Sequence, residues 1–164
     1  MSRRPAIAAA LVAVALGCSS DPAPSEPLAA DVRAAVAAVE AARGGPQEFF
    51  EVTATPQLTN VFVAIDDAGA AVPYVYLDGE LQPPAPRLDG AAGHTFTADA
   101  LDFDDATVLS GVRSDLPAAT IDAFSVEGTA GGFVRYVVSV RSEQGGVLDV
   151  VVAPRGAVVE VNPL

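Results

Sequence analysis

The sequence predicts an α+β fold made of two tandem units, each a helix followed by an antiparallel sheet in the order α-β-β-β. Apolar residues recur with the helical period near residue 28 and again near residue 105, and segments with the two-residue period of strands follow each stretch. A segment rich in proline and glycine separates the two series. We therefore expect a first unit over 28–81, a connector over 82–99 and a second unit over 100–164.

The first unit opens with an amphipathic helix. Its apolar positions have the i, i+4, i+8 and i+11 spacing of one helix face: Leu28, Val32, Val36 and Val39. The helix is predicted to end at Gly44-Gly45-Pro46, because glycine accepts a left-handed cap and proline cannot continue a helix. Three strands separated by turns follow, at Glu48–Thr55, Asn60–Asp66 and Val72–Leu77.

The second unit repeats this order after the connector. Asp104 and Asp105 are predicted to open its helix, since carboxylates stabilise a helix N-terminus, and Pro117 is predicted to end it. The apolar stripe of this helix consists of Val108, Leu109, Val112 and Leu116. Strands are predicted at Thr120–Glu127, Phe133–Arg141, Val147–Ala153 and Ala157–Val161, with a short strand at His94–Ala98 before the helix.

The two halves align with an offset that drifts only from 74 to 77 residues. The aligned pairs are Phe50 with Phe124, Ile65 with Val140, Gly69 with Gly145 and Gly79 with Gly156. The same alignment places Tyr74 and Tyr76 at the positions of Val150 and Val152, which predicts that both tyrosines belong to the core. Homology between the halves is a hypothesis.

Residues 1–17 are typical of an export signal, and residues 18–27 of a flexible tether. Two arginines precede an apolar run of 11 residues, which is shorter than the roughly 20 that span a membrane. The segment ends in Ala15-Leu16-Gly17-Cys18 and resembles a bacterial lipoprotein signal, although Ala15 and Leu16 depart from the usual Leu-then-small order. The resemblance implies a lipid on Cys18; the alternative is an ordinary secretory peptide that is cut nearby.

A lipid on Cys18 would anchor the protein in the cell envelope, facing the periplasm or the exterior. Ser19 follows the cysteine where aspartate would signal retention in the inner membrane, so the outer membrane is favoured if the source has one. Partners would then be the membrane, through the lipid, and an unidentified protein.

The charge balance argues against nucleic acid as a partner. All nine basic residues are arginine, two of them in the signal, against 21 acidic residues, so residues 18–164 carry a formal charge near −14. Such a surface repels phosphate backbones and anionic lipid headgroups. The acidity is interpreted as promoting solubility; a cationic partner or loosely held divalent cations are the alternatives.

The second half resembles a PepSY domain, a small α+β module of secreted bacterial proteins. The resemblance depends on the turn Leu116-Pro117-Ala118-Ala119, the hairpin Phe133–Ala153 and the final Gly156-Ala157-Val158, and it covers about 60 residues. Ala118 replaces the common glycine of the family, and Ala153-Pro154-Arg155-Gly156 replaces its Asp-Ala-X-X-Gly turn. The resemblance implies a non-catalytic module, of a kind suspected of inhibiting or regulating proteases.

No constellation in the sequence indicates catalysis, a cofactor or a metal site. His94, the only histidine, follows Gly93 in the connector and is interpreted as a solvated loop residue. The acidic run Asp99, Asp102, Asp104 and Asp105 lacks the glycine and glutamate of an EF-hand loop, and helix capping explains its last members. The glycine pairs are interpreted as helix stops and turns, since no lysine follows them to bind phosphate.

Arg135, Ser139 and Arg141 share the polar face of one predicted strand. They form either a solvated sheet face or a partner-binding surface, since arginine is enriched in protein interfaces. The sequence thus predicts a non-enzymatic envelope lipoprotein that acts as a protein-interaction module, with an inhibitory or regulatory role. The alternative is a lipoprotein that binds a small molecule or a divalent cation through the sheet face or the aspartate run.

Overall fold

An N-terminal helix followed by a large antiparallel sheet of nine strands forms the body of the protein, so the α+β class is confirmed. The computed structural model describes residues 26–27 and 29–164. Its helices are α1 (Ala29–Arg43) and α2 (Ser110–Asp115). Its strands are β1 (Phe49–Ala54), β2 (Thr59–Ile65), β3 (Ala70–Leu77), β4 (Glu80–Leu81), β5 (Leu88–Asp89), β6 (Thr120–Gly128), β7 (Val134–Arg141), β8 (Val147–Val152) and β9 (Val158–Pro163).

All these strands belong to one sheet with the order β4-β3-β2-β1-β6-β7-β8-β9, and β5 pairs with β3. β1 and β6, the first long strand of each half of the chain, pair with each other, with Val52 opposite Val126. The strands of both predicted units therefore share a single sheet. Chain order runs outward in both directions from the β1–β6 pair.

One hydrophobic core lies between the sheet and two segments that cover it. α1 covers the β1–β4 side and buries Val32, Val36 and Val39, as its apolar spacing predicts. Residues 98–116 cover the β6–β9 side. The sheet residues buried beneath these two covers define the inner face: Phe49, Val52, Ala54, Val61, Val63, Tyr74, Ile121, Phe124, Val126, Tyr136, Val138, Val140, Val150 and Val152. Tyr74 is buried as predicted, and Tyr76 packs against the core in part.

An aromatic cluster holds residues 98–116 on the sheet. The ring of Phe103 packs edge-on against Phe124 and Tyr136, at centroid distances of 5.2 and 5.4 Å. The Tyr136 hydroxyl accepts a hydrogen bond from the backbone N–H of Asp102 at 3.0 Å. Burial raises the pKa of Tyr136, because the phenolate would lose its hydration.

The second helix is shorter than predicted. It begins at Ser110 instead of Asp104 or Asp105, and residues 105–109 form turns. The Asp104 carboxylate accepts hydrogen bonds from the N–H groups of Ala106 and Thr107, at 3.0 and 3.1 Å. These local bonds satisfy the backbone without a helix. Val108, Leu109 and Val112 are nevertheless buried and Leu116 is partly buried, so the predicted apolar stripe faces the core although the helix covers only residues 110–115.

The connector also differs from the prediction. The segment His94–Ala98 is not a strand, because only Phe96 pairs, with Phe49, and a 3-10 turn follows at Ala98–Ala100. Conversely, β5 lies in the proline- and glycine-rich stretch that was expected to hold no regular element. The conformation of each segment depends on pairing with a strand distant in sequence, β1 for Phe96 and β3 for β5. The local sequence pattern does not predict such pairing.

The internal alignment pairs residues in unlike environments. Phe124 is fully buried on the inner face, whereas its aligned residue Phe50 lies in a bulge of β1 and is half-buried. Gly79 and Gly156 both have positive φ, at 83° and 89°. A Cβ on Gly79 would meet open space, but one on Gly156 would stand 2.1 Å from the Thr107 carbonyl oxygen. The two-unit organisation therefore stays a prediction.

Arg33 connects the two covering segments. From α1, its guanidinium donates hydrogen bonds to the backbone carbonyls of Leu101 at 2.9 Å and Phe103 at 2.7 Å. Its Nε lies 3.3 Å from the carboxylate of Asp105. The guanidinium carbon also stands 4.4 Å from the centroid of the Phe103 ring, within the range of a cation–π contact. Arg33 thereby fixes residues 101–105 relative to α1.

Candidate interaction surface

The candidate functional surface is the sheet face that points away from α1 and α2, which we call the outer face. Its side chains alternate with the buried ones along each strand, as the two-residue period requires. Both described helices pack on the inner face. The charged side chains of the outer face are concentrated on β6–β8, whereas β2 and β3 present a more apolar surface.

The structure brings the three residues predicted to bind a partner onto this outer face, all on β7. Each contacts an acidic side chain on a neighbouring strand: Arg135 with Glu127, Arg141 with Asp122 at 2.8 Å, and Ser139 with Asp149 at 2.7 Å. The hydrogen bond to Glu127 raises the pKa of Arg135. A partner that approaches β7 would therefore meet paired rather than free charges, and such exposed pairs add little to stability.

One row of outer-face residues crosses the sheet through its centre. Consecutive cross-strand neighbours in this row are Pro73, Phe62, Glu51, Glu127 and Arg135. The row thus changes from apolar to acidic to basic. Glu51 and Glu127 stand directly opposite each other on β1 and β6, which is unfavourable for like charges. Arg135 balances Glu127, whereas no basic side chain in the described ranges forms an ion pair with Glu51.

The Glu51 carboxylate is held by a chain of hydroxyl groups. The Thr53 hydroxyl donates to Glu51, and the hydroxyl oxygens of Thr53 and Ser125 lie 2.8 Å apart. Because a threonine hydroxyl has one hydrogen to donate, Ser125 must be the donor to Thr53. Ser125 is only 8% exposed, so its end of this chain is sheltered from water. Glu51 therefore has a defined orientation without a neutralising cation.

A groove of about 320 Å³ lies beside Glu51, on the apolar side of the row. Phe50, Phe62 and Ala71 line it from the sheet, and residues 88–92 of the connector form its other wall. Both phenylalanines are half-buried, so their rings are accessible from the groove.

The sequence pattern did not reveal this groove, although it contains one signal of it. Phe62 falls between Val61 and Val63, on the phase of β2 that points away from the core. The core does not require a large aromatic residue on the side of β2 that faces away from it. The other wall depends on where the connector returns across the sheet, which no local pattern specifies.

Arg87 fixes the connector wall of the groove. Its guanidinium forms ion pairs with Asp66, in the turn between β2 and β3, and with Asp89. The hydrogen bond to Asp89 is the main cause of a raised pKa of Arg87, and the hydrogen bond to Asp66 adds to it. In addition, β5 pairs with β3, with Leu88 opposite Ala71. The groove is therefore bounded by anchored backbone on both sides.

The other residues weighed from the sequence do not come together as a site. His94 is exposed in the connector. Asp104 holds the local turn and Asp105 contacts Arg33. Within the described part of the chain, no group of three or more histidine, cysteine or acidic side chains is placed to hold a metal ion. Cys18 lies outside the described residues.

No family model matches this chain, and neither a curated protein nor a solved structure is significantly similar to it. A search of the described residues finds no helix of the length and apolarity needed to cross a bilayer.

Proposed function

We propose that this chain is a lipid-anchored protein of the cell envelope that acts as a non-enzymatic protein-interaction module through its outer face. The observation that carries the proposal is the row from Pro73 through Phe62 and Glu51 to Arg135. Protein interfaces combine an apolar centre with oriented polar groups around it. The row offers both, on a face that the described helices leave free.

The anchor part of the proposal comes from the sequence. Cys18 ends an export signal, and Glu26 lies eight positions further along the chain. That span reaches at most about 29 Å. Glu26 forms an ion pair with Arg113 in α2, which ties the start of the body to the α2 side. A lipid on Cys18 would therefore hold this side of the body near a bilayer, with the outer membrane favoured.

The body consists, in this proposal, of two related units, 28–81 and 100–164, of which the second is PepSY-like. The symmetric strand order about the β1–β6 pair supports this two-unit organisation. Each unit would contribute one half of the sheet, and the two halves would join through the first long strand of each unit, β1 and β6. The module would then have an inhibitory or regulatory role towards its partner.

Crosslinking of the full chain in native membranes, followed by mass spectrometry, tests both parts. We expect repeated capture of one specific protein by the membrane-bound chain, and we expect the Cys18→Ser chain to leave the membrane fraction. Failure to capture any specific protein would contradict the interaction function. A Cys18→Ser chain that stays in the membrane would contradict the lipid anchor.

A further inference from the structure

We infer that the groove beside Glu51 binds a basic side chain, an arginine or a lysine, of a partner protein. The inference rests on the proposed function and names the chemistry of the partner at one point of the outer face. The groove is lined by apolar side chains together with the carboxylates of Glu51 and Asp89. An arginine or lysine side chain has the matching parts, an apolar stem and a cationic end.

The stem would lie over the aromatic part of the groove. Phe62 and Glu51 oppose each other across the β1–β2 pair and both line the groove, so a side chain that covers Phe62 can place its end at the Glu51 carboxylate. Directly opposed residues in antiparallel strands have Cβ atoms about 5 Å apart, which an arginine or lysine stem can span. The rings of Phe50 and Phe62 also offer cation–π contacts to a positive end.

The electrostatics of the groove favour a positive charge from outside. Glu51 faces Glu127 across the β1–β6 pair and has no ion-pair partner in the described ranges. The nearest arginines are already engaged, Arg135 with Glu127 and Arg87 with Asp66 and Asp89. A cation at Glu51 would relieve the repulsion between the opposed carboxylates. It would also be steered there by the net charge of −12.

The same charge argues against the other occupants. A second copy of this chain would bring a further net charge of −12 to the interface. An anionic lipid headgroup or a nucleic acid would place negative charge against Glu51 and Asp89, which line the groove. A basic segment of a different protein is therefore the occupant that fits.

The affinity of the groove can be measured with small probes. The full chain would be titrated with N-acetylarginine amide and with the neutral isostere N-acetylcitrulline amide, and followed by amide NMR shifts. We expect the arginine probe alone to shift the amides of Phe62, Ala71 and Ala91. Glu51→Gln should weaken its binding about three- to fivefold, the range of an exposed ion pair. The matched control Glu143→Gln, at an exposed carboxylate in the β7–β8 turn, should leave it unchanged. Equal binding of the two probes, or no effect of Glu51→Gln, would overturn the inference.

Photo-crosslinking separates this inference from the proposed function. A photoreactive residue would replace Phe62 in one variant and Ser139 in another, each in the full chain within the native envelope. Capture at position 62 of a peptide that contains arginine or lysine supports the inference. Capture at position 139 alone keeps the interaction function and refutes the groove, and no capture at either position refutes both. A crosslinked second copy, or a captured peptide without a basic residue, would also refute the inference.

Discussion

The two halves of the sheet are covered by chain segments of different kinds. Over β1–β4 lies α1, a regular helix of 15 residues. Over β6–β9 lies the segment 98–116, which combines a 3-10 turn, a series of turns and the six-residue α2. Both segments bury apolar side chains in the same core. A sheet of this kind therefore requires apolar groups at given positions above it, not a particular helix, provided that the backbone polar groups find partners.

In the irregular cover, side chains supplement the hydrogen bonds that the backbone forms within its own turns. Arg33 binds two of its carbonyls, Asp104 accepts two of its N–H groups, and Tyr136 accepts another. α1 instead satisfies most of its backbone by its own hydrogen bonds. A single substitution of a residue that contacts segment 98–116 should therefore lower the free energy of unfolding more than the same kind of substitution away from this segment.

The largest effect is expected at Gly156. The Cβ of Gly156→Ala would stand 2.1 Å from the Thr107 carbonyl oxygen, in a residue whose φ is 89°. Relief requires the turn to move away from segment 98–116, so we expect a loss of about 4 kcal/mol or more in the free energy of unfolding. The matched control Gly79→Ala has the same backbone strain in open space and should lose about 1–2 kcal/mol. Urea denaturation measures both, and equal losses would refute the close contact.

A smaller effect is expected at Arg33. Arg33→Met keeps an apolar stem but leaves the carbonyls of Leu101 and Phe103 without their donor, at a cost of about 2 kcal/mol. Arg43→Met is the matched control in the same helix, because Arg43 bonds only side chains, Gln47 and Tyr74, and it should cost about 0.5 kcal/mol. Hydrogen exchange should locate the Arg33→Met effect at residues 101–105. Uniform exchange throughout the chain would contradict a role in fixing this segment.

Local periodicity predicts the features that depend on local sequence. The burial of Val32, Val36 and Val39 follows from the helical period, and the strands follow from alternation. The start of α2 does not follow. Whether Asp104 caps a helix or closes a turn depends on Arg33, about 70 residues away along the chain, and on the strands β6–β9 beneath it. The 3-10 turn at Ala98–Ala100 has the same origin.

The candidate site shows the same division. Alternation places Arg135, Ser139 and Arg141 on one face of β7, and the structure agrees. Their acidic partners depend on the register between strands, which a one-residue slip would change completely. The opposition of Glu51 and Glu127 requires β1 to pair with β6 across the connector. Such pairing is a property of the whole sheet and leaves no local trace.

The smallest effects concern two buried hydroxyls, one in each half. Thr59 on β2 is 1% exposed, and no described residue is a hydrogen-bond partner of its hydroxyl. The isosteric change Thr59→Val should therefore raise the free energy of unfolding by about 1 kcal/mol. The Tyr136 hydroxyl accepts a hydrogen bond from the N–H of Asp102, so Tyr136→Phe should lower the free energy of unfolding by about 1 kcal/mol.

The pH dependence of these two changes should differ as well. Burial raises the pKa of Tyr136 above its usual value near 10, so the unfolded chain ionises first. The native protein therefore has the full contribution of Tyr136 below about pH 10 and loses it as the pH rises through the raised pKa. Tyr136→Phe removes this loss, so its deficit relative to the native protein should shrink above pH 10. Thr59→Val should keep a constant gain. Denaturation curves recorded between pH 8 and about pH 11 would measure both. A deficit of Tyr136→Phe that is constant with pH would show that the phenol is hydrated in the folded state.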